Sequence, residues 1–498
     1  MNVNIRQNFV ECLKFVKETY GEKQALADQY NQYSFCELYE YSGKIALHIN
    51  DTIKGYENCI GVIADGSAQS VILMIGVICS GNFYLPIDAK IHFLGLKDIA
   101  DVTNMKMILT ANDKFEHLED LLNCYSFESI LSKTVKRWYF ADIDSDAPLY
   151  AVLTSGSTGK PKIVLKTHKA MMLYMSSFVK TFSISEREIV GNQIPFYSDA
   201  AQKDLFLMLY LGVGLILIPQ YLFSAPYALV KFINEHDINY ISWVPSAYGM
   251  ISQFDIFRKE QLTKIRYSFW VGERINRNIV EYWKKFLPKT RFYNIYGMSE
   301  IAGVCAYYDM SGTIQEPIPI GIPFEHCILA FMDENKQLSD RGELLVWSDA
   351  LGICVFTEKG KLDLDRVCIC FGNEKRHFYK TGDYGYISSD NLFVITGRQD
   401  EQIKLNGYRI ELQGIENVLQ SYGYVNDVAT IFYNSKIIAY IVLSEDNSLK
   451  REGCIKYAKR NLPRHAIPHR FIFIKDMPYS RNGKRDKIYL KNLLQNEE

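Results

Sequence analysis

A glycine- and hydroxyl-rich loop directly behind an apolar strand constrains this chain more than any other feature. The segment YAVLTSGSTGKPKIVLKTH occupies residues 150–168. Its apolar start predicts a buried strand, and residues 154–162 then combine two glycines, four hydroxyl side chains and two lysines. Glycines let the backbone turn tightly and present N–H groups, so the loop is suited to bind a polyphosphate. A Walker A loop is excluded, because Thr154 stands where that motif has its first glycine and Pro161 follows the lysine in place of Ser or Thr.

The rest of the chain predicts an α/β body around this loop. Apolar runs such as CIGVIAD (59–65) and MKMILTA (105–111) alternate with helix-like segments, which is typical of doubly wound, largely parallel sheets. The longest apolar run, 205–219, is shorter than the roughly 18–20 residues that span a bilayer, so it predicts a buried helix and strand. Near residue 397 the pattern changes to a polar segment followed by short strands and helices. We therefore predict two domains, 1–398 and 399–498.

Composition excludes several classes of protein. The 498 residues include 56 Lys and Arg against 57 Asp and Glu, a balance without the positive surface that a dedicated nucleic-acid binder needs. With 48% hydrophobic residues the chain has enough apolar material for packed cores, which excludes disorder as its main state. The first 25 residues lack an apolar signal region, and the 11 cysteines are scattered. We therefore expect a cytoplasmic protein with free thiols.

Further motifs, in a fixed order along nearly the whole chain, identify a family. The loop resembles the phosphate loop of the adenylate-forming superfamily, which comprises acyl-CoA synthetases, luciferases and the adenylation domains of nonribosomal peptide synthetases. The other segments that resemble its motifs are YSFCEL (33–38), SGNFYLPID (80–88), NIYGMSE (294–300), YKTGD (379–383), GRQDEQIKLNGYRIELQGIE (397–416) and NGKRD (482–486). The resemblance implies a large N-terminal body with doubly wound sheets and a small, mobile α+β C-terminal domain.

The resemblance also implies a reaction and its catalytic residues. A carboxylate attacks the α-phosphate of ATP, pyrophosphate leaves, and Mg²⁺ is the metal. Negative charge builds around the phosphorus, so positioning and cationic stabilisation dominate the catalysis. Lys484 is implied to bridge the reacting groups, Ser299 to donate to the α-phosphate, and Glu300 to hold the metal. The implied nucleotide-binding residues are Thr154, Ser155, Gly156, Ser157, Thr158, Gly159, Lys160, Gly272, Glu273, Asn294, Tyr296, Gly297, Asp383 and Arg398.

A second step is implied for the C-terminal domain. Asp400 would be a hinge about which this domain rotates between an adenylating and a thioester-forming pose. In the second pose the loop from Lys404 to Gly407 would face the site, with Gly407 giving room for a pantetheine arm. The sequence shows no serine motif of a carrier domain after Lys484. A separate phosphopantetheinylated carrier protein is therefore the expected partner.

Asp199 bears on the acyl group. It falls on the position where adenylation domains for amino acids bind the substrate α-ammonium, and a buried ammonium requires such a carboxylate. The alternative is that Asp199 caps the helix beginning near Ala200. The resemblance implies a substrate pocket that consists of Asp199, Ala200, Lys203, Ser242, Phe269, Val271, Ile295, Gly303 and Val304. If Lys203 points inward, it suggests a polar or acidic amino acid; if it is solvated, the pocket is mainly apolar.

Three functions remain open from the sequence. The first is an amino acid–carrier protein ligase, similar to stand-alone adenylation domains and D-alanine–carrier ligases. The second is a carboxylic acid–CoA ligase, or an enzyme that passes its acyl-adenylate directly to an amine. The third is a non-catalytic nucleotide-binding or scaffold protein. Retention of Lys484, Glu300 and Asp383 argues against the third.

Overall fold

The computed structural model describes residues 6–91, 93–112, 122–133, 137–154, 162–352, 354–357, 360–364, 366–371, 374–398, 402–445, 447–479 and 485–495. The chain forms two compact units: the larger holds residues 1–153 and 163–397, and the smaller holds residues 398–498 with 154–162. The domain boundary that we predict from the sequence lies one residue further along the chain and stays a prediction.

Helices and strands alternate through the larger unit. The helices of the chain are α1 (Phe9–Tyr20), α2 (Phe35–Thr52), α3 (Ala68–Cys79), α4 (Phe93–Thr103), α5 (Phe127–Lys133), α6 (His168–Phe182), α7 (Asp199–Leu211), α8 (Pro226–Glu235), α9 (Pro245–Gln253), α10 (Arg277–Phe286), α11 (Leu412–Gln420), α12 (Ser448–Asn461) and α13 (Lys487–Gln495).

The strands are β1 (Gln24–Ala27), β2 (Gln32–Ser34), β3 (Cys59–Ala64), β4 (Phe83–Asp88), β5 (Met107–Thr110), β6 (Cys124–Ser126), β7 (Pro148–Thr154), β8 (Lys162–Thr167), β9 (Ile189–Asn192), β10 (Gly214–Leu217), β11 (Tyr240–Trp243), β12 (Tyr267–Val271), β13 (Arg291–Tyr296) and β14 (Ala306–Asp309). They continue with β15 (Ile322–Pro323), β16 (Cys327–Met332), β17 (Leu338–Ser339), β18 (Arg341–Ser348), β19 (Cys354–Thr357), β20 (Gly360–Leu362), β21 (Arg366–Phe371), β22 (Glu374–Ile387), β23 (Phe393–Arg398), β24 (Gln402–Leu405), β25 (Tyr408–Glu411), β26 (Val425–Tyr433), β27 (Lys436–Leu443) and β28 (Arg470–Phe473).

Two largely parallel sheets form most of the larger unit. The first has the strand order β15-β14-β13-β12-β11-β9-β10-β1-β2, with parallel pairing from β13 through β1. The second has the order β20-β19-β8-β7-β4-β3-β5-β6. Non-consecutive neighbours such as β1 and β10 require crossover connections, which the helices supply. This confirms the predicted doubly wound α/β architecture.

Buried strands and helices account for the apolar runs of the sequence. All six residues of β3 are buried, as is nearly every residue of α3, because both faces of a parallel sheet are covered. The run 205–219 forms the end of α7 and all of β10, so the prediction of a buried helix followed by a buried strand is confirmed. Among the described helices, none combines the length and hydrophobicity that crossing a bilayer requires.

A third sheet of the larger unit is antiparallel. Its order is β17-β16-β18-β22-β21, with β23 beside β22. The long strand β22 carries the YKTGD motif in its middle. Gly382 within that motif has φ of +73°, a conformation that favours glycine.

The smaller unit is an α+β assembly with its own cores. Strands β26, β27 and β28 form a mixed sheet, and α11 packs against it through Ile415 and Leu419. A separate hairpin joins β24 to β25 through Asn406 and Gly407, whose φ values of +52° and +81° are those of a tight two-residue hairpin turn. This composition confirms the predicted α+β class of the C-terminal region.

Candidate active site

The carboxyl ends of neighbouring parallel strands bring several predicted pocket residues together. Ser242 of β11 pairs in register with Phe269 of β12, and Val271 of β12 pairs with Ile295 of β13. All four side chains are buried. Ser242, Val271 and Ile295 lie at or next to the carboxyl ends of their strands, the side of an open α/β sheet on which ligands bind. Phe269 lies within its strand.

A hydrogen bond between two sheets joins two predicted nucleotide-binding residues. The Tyr296 hydroxyl at the end of β13 donates to the Asp383 carboxylate in β22. Asp383 is buried, and its backbone N–H donates to the Thr381 hydroxyl at 3.0 Å. That hydroxyl donates in turn to the Leu344 carbonyl at 2.8 Å. The contacts hold a carboxylate, the group we expect to accept from ribose hydroxyls, beside an aromatic ring that could stack on a base.

The neighbouring predicted residues are held by backbone contacts. Glu273 accepts from the Ser246 N–H at 3.0 Å, at the beginning of α9. The Asn294 amide donates to the Pro319 carbonyl at 2.7 Å. Any Cβ on Gly297 would lie 2.6 Å from the Gly303 carbonyl oxygen, so the turn after β13 requires glycine there. Gly272, just before Glu273, has φ of +92°.

Glu300 is a candidate magnesium ligand. Its side chain is 7% exposed, and its carbonyl accepts from the Gly352 N–H at 2.8 Å. The described residues contain no group of three or more His, Cys, Asp or Glu side chains that could enclose a metal. A single carboxylate fits Mg²⁺, which is usually bound by one or two carboxylates together with substrate phosphates. Ser299, the adjacent predicted residue, is half-buried.

Asp199 has a partner that the sequence analysis missed. The Lys166 ammonium lies 2.6 and 2.7 Å from the two carboxylate oxygens of Asp199. The Tyr150 hydroxyl donates to the same carboxylate at 3.1 Å, and the ammonium lies 5.2 Å from the centre of the Tyr150 ring. The side chain of Lys166 is fully buried and that of Asp199 is 14% exposed. This pair is the main charged contact that the structure gives at the predicted amine-binding position.

The electrostatics of the pair follow from its burial. Burial lowers the pKa of the Lys166 ammonium below its usual value, and the charges of Asp199 and Glu300 act against that shift. Burial raises the pKa of the Asp199 carboxyl, opposed by Lys166 and Tyr150. Asp199 is the first residue of α7, where the positive end of the helix dipole favours a carboxylate. Ser198, not Asp199, occupies the capping position, so the helix-cap alternative is wrong.

Lys203 is neither solvated nor unpaired. Its side chain is 4% exposed, and its ammonium contacts the carboxylate of Asp204. It also donates to the Tyr240 hydroxyl at 3.0 Å, and Asp204 accepts from the Asn192 amide at 3.1 Å. This corrects the expectation that Lys203 is either solvated or available to a substrate carboxylate. Its charge is balanced within the fold.

Two buried hydroxyls near these pairs have no partner in the described part of the chain. They are Oγ of Ser242 and Oη of Tyr174. Ser242 and Tyr240 are two positions apart on β11 and so share one face of the sheet, the face on which Tyr240 contacts Lys203. The Tyr174 ring fills the space where a Cβ on Gly303 would lie, 2.1 Å away. Val304, the next predicted residue, is buried beside it.

Several predicted residues lie outside the described residues. These are Ser155, Gly156, Ser157, Thr158, Gly159 and Lys160 of the loop, the hinge Asp400 and the catalytic Lys484. Thr154, at the end of β7, is buried, and its hydroxyl donates to the Lys162 carbonyl at 3.3 Å. Ala200 and Arg398 are partly exposed. Lys404 pairs in register with Arg409 in the hairpin that Gly407 helps to turn.

The sequence contains a feature that predicts a buried partner for Lys166. It interrupts the buried run IVL of β8, where every neighbour from residue 163 to 165 is apolar. Lysine is almost never fully buried unless it is paired. A lysine at the end of a buried strand therefore predicts a buried carboxylate partner. The sequence does not say which one, because the partner lies 33 positions away on α7.

Comparison with known proteins identifies the class. Residues 14–354 match the AMP-binding enzyme family, and residues 414–484 match the AMP-binding enzyme C-terminal domain. The chain therefore belongs to the AMP-binding enzymes. Its relatives include ligases, and the chain belongs to the adenylate-forming ligase superfamily.

Particular relatives cover almost the entire chain. A D-alanine--D-alanyl carrier protein ligase from Bacillus licheniformis is 24% identical over 97% of this chain and 98% of its own length. A nonribosomal peptide synthetase protein containing adenylation and PCP domains superposes with a TM-score of 0.85 at 19% identity, over 97% of this chain and 84% of that one. An o-succinylbenzoate CoA synthetase from Bacillus subtilis has a TM-score of 0.83 at 19% identity, over 97% and 98%. The structural matches establish the fold.

Proposed function

We propose that this enzyme activates a carboxylic acid with ATP as its acyl-adenylate, releases pyrophosphate, and transfers the acyl group to the phosphopantetheine thiol of a separate carrier protein. The observation that carries the proposal is the contact between Tyr296 and Asp383, which joins two predicted nucleotide-binding residues from different sheets. The family match over both regions of the chain supports the same chemistry. A cytoplasmic location belongs to this proposal.

The chain's own residues would divide the work of adenylation. Asp383 accepts from the ribose hydroxyls, Tyr296 stacks on the adenine, and Asn294 contacts its edge. Glycines and hydroxyls of residues 154–160 hold the β- and γ-phosphates. Mg²⁺, held by Glu300 and phosphate oxygens, would neutralise charge on the leaving pyrophosphate. Lys484 bridges the attacking carboxylate and the α-phosphate, so its charge is applied where negative charge develops.

Transfer to the carrier would use a different segment of the small domain. We propose that it rotates about Asp400, removing Lys484 and presenting the hairpin from Lys404 to Gly407. The tight turn at Gly407 supports this role, since a residue without a Cβ gives a pantetheine arm room. The carrier as partner is supported by the relative from Bacillus licheniformis, whose name specifies a carrier protein.

Two acyl groups are candidates. An amino acid is supported by the position of Asp199 and by relatives that act on D-alanine. A carboxylic acid without an amine is supported by a specific observation: Asp199 is already paired with Lys166 within the chain. The fold accommodates such enzymes, since a structural relative is a CoA synthetase for o-succinylbenzoate.

Exchange of radiolabelled pyrophosphate into ATP tests the proposal. Purified enzyme is assayed with matched acids that differ only in the α-group, such as alanine, lactate and propionate, and with longer homologues. We expect acid-dependent exchange that requires Mg²⁺. Lys484→Ala should reduce it at least about a hundredfold, the loss typical of removing one electrostatic stabiliser. Asp383→Asn should mainly raise KM for ATP.

A matched control separates catalysis from folding. Arg187→Ala removes a side chain that is 85% exposed and should leave exchange unchanged. Transfer is then measured as acyl loading of a phosphopantetheinylated carrier, with coenzyme A and simple amines as competing acceptors. Exchange that is fully retained in Lys484→Ala would contradict the assigned mechanism. Absence of ATP binding would contradict the proposed function.

A further inference from the structure

The placement of Lys166 determines which charge a substrate can bring into the pocket. Lys166 belongs to β8 and Asp199 begins α7, so a strand and a helix fix the two ends of the pair. Both carboxylate oxygens contact the one ammonium. The pair is therefore a built feature of the fold and not a chance contact of two long, exposed side chains.

Each of the two ion pairs on α7 is neutral without a substrate, and Glu300, the candidate magnesium ligand, is a further carboxylate whose charge acts on Lys166 and Asp199. Asp199 is paired with Lys166, and Asp204 is paired with Lys203. Two ammonium groups face two carboxylates, all four from the chain itself. An amino acid would add a third ammonium to this set, and its neighbour would be Lys166. Like charges in a poorly solvated site repel one another strongly.

The surroundings of Lys166 keep its side chain away from solvent. Its side chain is fully buried, and its Cα lies in a strand whose residues 163–165 are also buried. The Tyr150 ring contacts one side of it. An incoming ammonium could not replace it by swinging it into solvent, as it could with an exposed lysine.

We propose that Lys166 supplies, from within the chain, the ammonium that an amino-acid substrate would otherwise bring to Asp199, so that the acid activated by this enzyme carries no α-ammonium group. This inference rests on the proposed adenylation function and names its substrate class. The acyl group is neutral at the α-carbon, and a hydroxyl or a carbonyl oxygen is favoured there. Lys166 is a specificity-determining residue rather than a catalytic one.

Neutral polar groups lie at or beside predicted pocket positions: Ser242 is one of these positions, and Tyr174 packs against Gly303, another. The hydroxyls of Ser242 and Tyr174 are buried and, within the described residues, unpartnered. A buried hydroxyl without a partner is costly, so a ligand that offers a neutral hydrogen-bonding group is favoured. The side chain of Asp199 is 14% exposed, and its carboxylate could accept from a hydroxyl donor while its charge stays with Lys166.

Three acyl-adenylate analogues test the inference directly. They are the glycyl, glycolyl and acetyl derivatives of 5′-O-sulfamoyladenosine, which differ only in carrying an α-ammonium, an α-hydroxyl or an α-hydrogen. These acyl groups are close in size, so pocket size discriminates little among them. Binding to the full-length enzyme is measured by calorimetry, with unacylated sulfamoyladenosine as the reference. We expect the glycolyl and acetyl compounds to bind at least tenfold more tightly than the glycyl compound.

A substitution should reverse the ranking. In Lys166→Met the Asp199 charge is unpaired, so the gain of the glycyl compound relative to the acetyl compound should exceed the wild-type difference between them and make the glycyl compound the tighter ligand. Lys169→Met is the matched control, because Lys169 lies three residues away with a side chain that is 59% exposed. It should keep the wild-type ranking. Thermal melting of each variant establishes whether it is folded.

The outcomes are distinct. Glycyl binding that equals or exceeds glycolyl and acetyl binding in the wild-type enzyme would overturn the inference and leave the proposed adenylation intact. Failure of all four compounds to bind would overturn the proposed function, and the inference with it. If Lys166→Met does not fold, the wild-type ranking alone decides.

Discussion

Two lysine–aspartate pairs each have their carboxylate on helix α7, and they differ in how much of the pair remains exposed. Lys203 and Asp204 are sequence neighbours, both almost fully buried, and they take further partners from Tyr240 and Asn192. Lys166 and Asp199 come from a strand and a helix 33 positions apart, and Asp199 keeps 14% of its side-chain surface. One pair is sealed inside the fold, whereas the carboxylate residue of the other keeps a small exposed surface.

We infer from this difference that the two lysine–aspartate pairs have different roles. A sealed pair contributes to the fold, and substrate cannot exchange with it. A pair whose carboxylate residue is partly exposed can set the charge that a ligand meets. The lysine that the family resemblance places in the pocket is thus the structural one, and the lysine outside that pattern is the one we infer to select the substrate.

The largest predicted effect comes from breaking the sealed pair. Asp204→Asn keeps the shape of the side chain but leaves the Lys203 ammonium buried without its counter-charge. We expect the free energy of unfolding to fall by about 3–5 kcal/mol, the usual loss when one partner of a buried pair is removed. Denaturant unfolding of the purified protein measures it.

Asp199→Asn is the matched variant for that measurement. It should lose less stability, because Asp199 is partly exposed, but it should change the ranking of the three analogues, whereas Asp204→Asn should not. A larger stability loss in Asp199→Asn than in Asp204→Asn would contradict the division into a sealed pair and a ligand-facing pair.

His168, a buried titratable residue two positions after Lys166, predicts a pH-dependent change of about 2 kcal/mol in the free energy of unfolding. His168 begins α6, is 1% exposed, and its Nδ1 accepts from the Phe9 N–H at 3.2 Å. Burial lowers its pKa from 6.5 to about 3. The folded state therefore keeps the imidazole neutral, whereas unfolding lets it bind a proton. The resulting stability is present above pH 6.5 and is lost as the pH falls toward 3. Between pH 7 and pH 5 this loss is about 2 kcal/mol.

His168→Asn checks that assignment. The asparagine oxygen can still accept from the Phe9 N–H but does not titrate. The difference in unfolding free energy between pH 7 and pH 5 should therefore shrink by about 2 kcal/mol in the variant. An unchanged difference would show that other groups govern the acid sensitivity. His168 extends the comparison of buried titratable groups. The His168 imidazole is buried in its neutral form, whereas the Lys166 ammonium is buried together with a paired carboxylate.

Much of the architecture was predictable from the sequence. The alternation of apolar runs with helix-like segments predicts parallel strands and buried helices. A strand covered on both faces is a short run of apolar residues, which neighbouring positions in the sequence reveal. The motif order gave the strand ends that hold Ser242, Val271 and Ile295. The contact of Tyr296 with Asp383 needs the third sheet to lie beside the first, which no local pattern specifies.

The charges of the pocket were the least predictable part. The resemblance places Lys203 in the pocket, but its partner is the next residue in the sequence, and only the burial of both shows that they form a pair. Lys166 was recognisable as a buried lysine in an apolar strand. Its partner is set by the packing of β8 against α7, a long-range contact that periodicity does not encode.

The smallest predicted effect separates hydrogen bonding from charge at Asp199. Tyr150→Phe removes the hydroxyl that donates to the carboxylate at 3.1 Å, while the ring that packs against the Lys166 ammonium remains. We expect a loss of about 1 kcal/mol in unfolding free energy. The ranking of the glycyl, glycolyl and acetyl compounds should stay that of the wild type, because the charges of Lys166 and Asp199 are unchanged. Calorimetry and denaturant unfolding measure the two quantities.

If Tyr150→Phe reversed the ranking as strongly as Lys166→Met, selection would depend on the hydroxyl rather than on the ammonium. The Lys166–Asp199 pair would then position Tyr150, and Tyr150 would be the residue that selects the substrate.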